Sequence, residues 1–209
     1  MEWTEFYRER DYDRIAYLAG EEMPDLLDRF FERTRVPEAM LSVGCGPAVT
    51  EFAVAERHPE TTVHGVDVST DLVADNRDLA ADAGLENLTF AVDALPDLDT
   101  DGAFDLVYCV ATLFFVADVD RALEALRERV APGGYLVVSY PSTGTRRGAL
   151  EMDEEAREFF SLVVAEENLR TREEVEATLG VETADFWAAV DAPDEPFVEF
   201  APTVYARRE

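Results

Sequence analysis

An apolar run at residues 39–43 empties into Gly44-Cys45-Gly46-Pro47-Ala48 and then into a helical stretch at 48–57. A buried strand that turns on glycines into a helix brings bare backbone against a ligand, because glycine has no side chain to block the approach. Taken alone, a glycine pair is more often only a tight turn. Asp67 weighs against that: it closes a second apolar run, 62–66, about 20 residues on, where a wound sheet sets a carboxylate against ribose hydroxyls.

From residue 39 strand and helix signals take turns, with strands at 39–44, 62–67, 87–92, 104–110 and 134–140 and helices at 48–57, 69–82 and 118–130. Such alternation implies a parallel sheet with helices on both faces. Ser69 and Asp118 stand where helix caps belong, Gly84 where a helix should stop, and Pro132-Gly133-Gly134 where the chain turns into its fifth strand. The last two apolar stretches, 181–190 and 197–206, are separated by a short polar, proline-containing link, which predicts an antiparallel hairpin with no helix in it. The expected fold is α/β: a doubly wound, mostly parallel seven-stranded sheet with a C-terminal antiparallel hairpin and helices on both faces. One domain, 1–209, is what this length holds around a single core.

Two segments fall outside the alternation. Residues 1–35 read as an N-terminal helical cap broken near Gly20 to Pro24, with Ile15, Leu18, Leu26, Leu27, Phe30 and Phe31 as buried candidates. Residues 141–170 form an insertion after strand five with an acidic helix at 151–169, whose Phe159, Phe160, Leu162 and Val163 are either core or a lid. Beyond it, Thr171 and Glu174 make a capping box for a short helix that Gly180 closes.

Charge narrows the setting. The chain has 46 acidic and 18 basic residues, a formal net charge of -28, and no lysine, so every basic residue is arginine. Self-repulsion on that scale is costly in dilute salt and largely screened at molar salt, where the screening length is roughly 3 Å. The composition fits a cytoplasmic protein of a salt-loaded, halophilic cell. Nucleic-acid binding is disfavoured, since Arg146-Arg147 and Arg207-Arg208 are the only basic pairs. The acidic start argues against a secretion signal, and the longest apolar stretch, 106–117, is too short to span a bilayer. Cys45 and Cys109 are expected as free thiols, and no metal-binding constellation is apparent.

The ordered motifs resemble those of class I S-adenosylmethionine-dependent methyltransferases. Leu41-Ser42-Val43-Gly44-Cys45-Gly46 is similar to the first motif, Gly65-Val66-Asp67-Val68-Ser69 to the acidic second and Val92-Asp93-Ala94 to the third. Phe104 to Cys109 resembles the fourth strand, and Val130 to Leu136 the turn into the fifth. The resemblance implies S-adenosylmethionine as cofactor. Gly44 and Gly46 would then lie against its methionyl part, Asp67 would hold the ribose and Asp93 meet the adenine amine, with backbone at Cys45, Val68, Ala94 and Val110 completing the cradle. Two residues depart from the family: Ser42 stands where an acidic residue is usual, which would weaken the grip on the methionyl ammonium, and Ala48 where a third glycine is usual.

Methyl transfer is an in-line displacement with a neutral leaving group, so alignment of donor and acceptor at roughly 3 to 3.5 Å is the main demand. The sequence names no catalytic base. Ala111-Thr112-Leu113-Phe114-Phe115 would floor the acceptor pocket, and its apolar aromatic character fits a greasy or planar small molecule, although Phe114 and Phe115 also suit a core. The Asp- or Asn-Pro-Pro-aromatic signature of base N-methylation is absent there, and Cys109 lacks the proline beside a nucleophilic cysteine. The N-terminal Trp3, Phe6, Tyr7, Tyr12 and Tyr17 would suit a sulfonium cation or simply a packed helix. His58, His64 and Asp105 read as structural. Alternatives are a non-catalytic cofactor-binding partner subunit, an RNA methyltransferase and a nicotinamide-dependent dehydrogenase.

Overall fold

The computed structural model describes residues 22–193 and 196–209. Its elements run α1 (Glu22–Arg33), β1 (Ala39–Val43), α2 (Val49–Arg57), β2 (Thr62–Asp67), α3 (Thr70–Ala83), β3 (Leu88–Val92), β4 (Phe104–Cys109), a 3₁₀ turn (Leu113–Phe115), α4 (Val119–Arg129) and β5 (Val130–Ser139). They continue through α5 (Thr143–Glu151), α6 (Glu154–Phe159), α7 (Ser161–Val164), α8 (Arg172–Leu179), β6 (Ala184–Asp185), α9 (Phe186–Ala189), α10 (Pro196–Phe200) and β7 (Thr203–Arg207). The strands form one seven-stranded sheet in the order β3-β2-β1-β4-β5-β7-β6. Strands β1 to β5 are parallel, and β7 runs antiparallel to both β5 and β6.

The pleat divides the core in two. Met40, Leu106, Tyr108 and Val137 face one layer, where α1, α2, α3 and α9 bury Leu27, Phe30, Val54, Val73 and Phe186. Leu41, Val43, Val107, Leu136 and Val138 face the other, under Leu123 and Leu126 of α4 and Leu179 of α8. The punctuation read from the sequence is present: Ser69 Oγ accepts the Leu72 amide, Asp118 caps α4, Gly84 and Gly180 close their helices in the left-handed conformation, and Thr171 and Glu174 cap reciprocally. Of the segment expected as an N-terminal cap, residues 22–33 are α1, with Leu26, Leu27, Phe30 and Phe31 buried against the sheet. Ile15, Leu18 and the aromatics from Trp3 to Tyr17 lie outside the described residues.

Two expectations need correction. The final antiparallel pair exists, but β6 is only 2 residues long and two short helices separate it from β7. Asp185 caps α9 by accepting the Ala188 amide at 2.8 Å, which turns Phe186, Trp187 and Val190 inward on one helical face. A short apolar run does not by itself distinguish strand from buried helix. The acidic helix expected at 151–169 is likewise broken. A capping box at Ser142 starts α5 before it, and the breaks after α5 and α6 let Phe160 and Val163 reach a third apolar cluster with Phe114, Ala149 and Ala201.

Candidate cofactor site

The turn after β1 is built by three left-handed residues, Gly44 (φ 73°), Gly46 (φ 52°) and Ala48 (φ 59°). Ala48 is therefore not the first residue of the helix; it precedes α2 in a conformation that suits glycine, as the family pattern has it. Gly44 is held by space as well, because a Cβ there would lie 2.2 Å from Thr112 Oγ1. That hydroxyl donates to the carbonyls of Val43 at 3.2 Å and Val110 at 3.3 Å, which locks the loop after β4 over the turn.

The amides of this turn are spent within the protein. Gly44 and Cys45 donate to the Val66 carbonyl at 2.8 and 3.0 Å, Gly46 to Asp67 Oδ2 at 3.0 Å and Ala48 to the Cys45 carbonyl at 2.9 Å; Pro47 has none to give. A dinucleotide turn works by offering such amides to a pyrophosphate. This one has committed them, and a buried carboxyl, Glu51, sits just behind it. With those amides committed, the geometry disfavours a phosphate at this turn.

Asp67, 7% exposed at the end of β2, accepts from Gly46 and, through Oδ1, from the Ser69 amide at 2.9 Å. Burial raises its pKa, and the Ser69, Gly46 and Val68 amides work against that rise. Beside it Val68 and Val92, at the adjoining ends of β2 and β3, are 47% and 48% exposed, and Ala94 is exposed as well. Two exposed valines next to a strand-end carboxylate offer an apolar surface suited to a flat ring beside a ribose. Val110 is half-buried at the end of β4, where the chain turns at Ala111 (φ 60°), whose amide donates to Ser139 Oγ at 2.6 Å.

Asp93 is heavily engaged within the protein. Its carboxylate accepts from the amides of Ala94, Asp99 and Thr100 at 2.8, 3.1 and 2.8 Å and from the Thr100 hydroxyl at 2.5 Å. Burial would raise its pKa, but these donors outweigh it and hold the group below the usual carboxylate range. The side chain ties down the loop 94–100, and a ligand amine would compete with four donors already in place.

Asn76 and Glu51 escaped the sequence, and Ser42 stood out there only as a departure from the family pattern. Asn76 of α3 donates to the Gly46 carbonyl at 2.9 Å while fully buried. Ser42 donates its hydroxyl to Glu51 Oε1, with both residues buried. Burial pushes the Glu51 carboxyl up to about 7, against the lowering effect of Ser42 and its own amide, and Asp67 adds to the rise. For Asn76 and Glu51 the signal was a polar residue whose neighbours one helical turn away are apolar. Elsewhere Asp105 fastens the start of β1 by accepting from the Glu38 and Ala39 amides at 3.0 and 3.1 Å. His58 meets Asp28 at 2.6 Å and His64 meets Thr89 at 2.8 Å, both away from the turn. Burial lifts the Cys109 thiol to about 12, so it carries no thiolate at neutral pH.

Residues 37–181 match the family model described as a methyltransferase domain. The chain belongs to the methyltransferase-domain family. Similar to this methyltransferase domain are the malonyl-[acyl-carrier protein] O-methyltransferase of Geobacter sulfurreducens, 29% identical over 94% of this chain and 73% of that protein, and the trans-aconitate 2-methyltransferase of Deinococcus radiodurans, 35% identical over 49% and 38%. An uncharacterised Synechococcus protein is 28% identical over 77% of this chain and 41% of its own length. The chain thus spans about two fifths of two of these relatives and nearly three quarters of the third. The fold is shared with the magnesium protoporphyrin IX methyltransferase of Synechocystis, solved with bound SAH, at a TM-score of 0.67 and 16% identity over 100% of this chain and 93% of that one. Geranyl diphosphate C-methyltransferase from Streptomyces coelicolor gives 0.65 at 14% identity over 91% and 78%.

Proposed function

We propose that this protein transfers a methyl group from S-adenosylmethionine to a small-molecule acceptor. The observation that carries this is the turn after β1: it spends its amides on Val66 and Asp67 and stands beside the strand-end carboxylate Asp67 and the exposed Val68 and Val92. Gly44, Cys45 and Gly46 take the methionyl end, Asp67 the ribose, and Val68, Val92 and Ala94 flank the adenine, with Asp93 ordering that wall through loop 94–100. Val110 and Ala111 border the transferred methyl. The cofactor brings an activated sulfonium methyl; the protein's part is to seat it, exclude water and hold the acceptor in line.

The acceptor would sit near the 3₁₀ turn Leu113–Phe115, against which Phe160 and Val163 of the insertion 141–170 pack. Relatives named for trans-aconitate and malonyl-[acyl-carrier protein] support a non-nucleic-acid acceptor. The charge of -28 without lysine supports a cytoplasmic setting at high salt. The test is transfer of labelled methyl groups from S-adenosylmethionine, at molar salt, into a metabolite extract and, separately, into RNA. Label in small molecules is expected. Label confined to RNA, or none anywhere despite cofactor binding, contradicts the proposal.

A further inference from the structure

Glu51 is a buried acid of this site that the binding scheme leaves unused. It is the third residue of α2, 2% exposed, and its Oε1 takes the hydroxyl hydrogen of Ser42, the penultimate residue of β1. A buried carboxylate that stays charged normally collects two or three good donors or a cation. Glu51 has one hydroxyl and its own amide. The titratable groups facing it are Asp67 from β2 and Tyr108 from β4, the latter a phenol that burial keeps protonated and that the Thr50 hydroxyl of α2 engages. Neither supplies positive charge, and Asp67 disfavours a second negative charge beside it.

We propose that Glu51 is the charge partner of the cationic methionyl end of the donor: neutral in the free protein, it releases its proton as the ligand's α-ammonium group settles on the turn. This rests on the methyl-donor reading above. The carboxyl O–H bond breaks, the proton passes to buffer, and the resulting carboxylate keeps the Ser42 hydroxyl as donor while the ammonium balances its charge. A carboxylate at position 42 would place a like charge against Glu51; the serine there supplies a donor instead, so the acid stands on the helix and not on the strand. Its pKa near 7 in the free protein puts this exchange within the physiological range.

Calorimetric titration with S-adenosylhomocysteine from about pH 5.5 to about pH 7.5, below the range of a free α-amino group, tests it. Two buffers of different ionisation heat count the protons. Wild type is expected to release close to one proton at the acid end and to gain affinity close to tenfold per pH unit below about 7. Glu51→Gln, a neutral isostere, is expected to bind without that slope, and methylthioadenosine, which lacks the amino-acid end, to bind wild type without proton release. A flat wild-type profile with no proton release overturns the proposal, as does undiminished release in E51Q, which would assign the proton to Asp67. Absence of any wild-type affinity for S-adenosylhomocysteine overturns the donor reading as well.

Discussion

Gly44→Ala damages the turn in two ways. The added methyl meets Thr112 at 2.2 Å, an overlap that costs about 1 to 3 kcal/mol to relieve, and the left-handed backbone adds about 1 kcal/mol for any residue with a Cβ. Chemical denaturation should show a loss of about 2 to 4 kcal/mol. Ala48→Gly is the instructive contrast at the same sign of φ. Relief of about 1 kcal/mol of backbone strain is offset by loss of a methyl group buried to 1% exposure, worth about 0.8 kcal/mol. Stability should hardly move. Glu51 gives a pH signature: the folded protein holds its proton more tightly than the unfolded chain, so its contribution is complete below the unfolded value of 4.5 and lost as pH rises through about 7. At about 1.4 kcal/mol per unit, E51Q should gain about 3 kcal/mol on wild type across that window; parallel stability curves for the two proteins would contradict the burial account. The glycines and Asp67 were legible in the sequence because a backbone requirement and a strand-end acid leave residue types at fixed spacing. Glu51 was not, because its partner lies nine positions earlier on another element and only burial distinguishes it from the chain's many solvated acids.

Among the elements, the parallel strands were legible because each is a mostly apolar run between turn residues, as a strand covered on both faces tends to be. The C-terminal third was not. There short helices and strands use the same apolar residues, and the outcome rests on caps such as Asp185 and Ser142 and on which side chains find the third cluster. Asn168 joins that region to the site: its Nδ2 points at the carbonyls of Leu113, Phe114 and Val116 at 3.3, 3.1 and 3.0 Å, and the residue is fully buried. Asn168→Asp would set a carboxylate against three carbonyl oxygens. A loss of about 2 to 4 kcal/mol is expected, together with faster hydrogen exchange at 113–116 and impaired methyl transfer, while affinity for S-adenosylhomocysteine stays within a few fold. Equal loss of cofactor affinity would mean that the insertion supports the cofactor half and not the acceptor half.

For the whole molecule, a formal charge of -28 over 209 residues makes stability a function of salt. Raising the ionic strength from 0.1 to 1 M shortens the screening length from about 10 to about 3 Å, so the melting temperature should climb steeply over that range. A melting temperature that is flat from 0.1 M upward would contradict the proposed setting in a salt-loaded cell. What the fold is built to do is tested most directly by titrating wild-type protein at molar salt with S-adenosylhomocysteine and, separately, with NAD, alongside Asp67→Ala. Saturable binding of S-adenosylhomocysteine alone, abolished or severely weakened by the substitution, is the result predicted here. Heat from NAD and none from S-adenosylhomocysteine, or binding indifferent to Asp67, would contradict it.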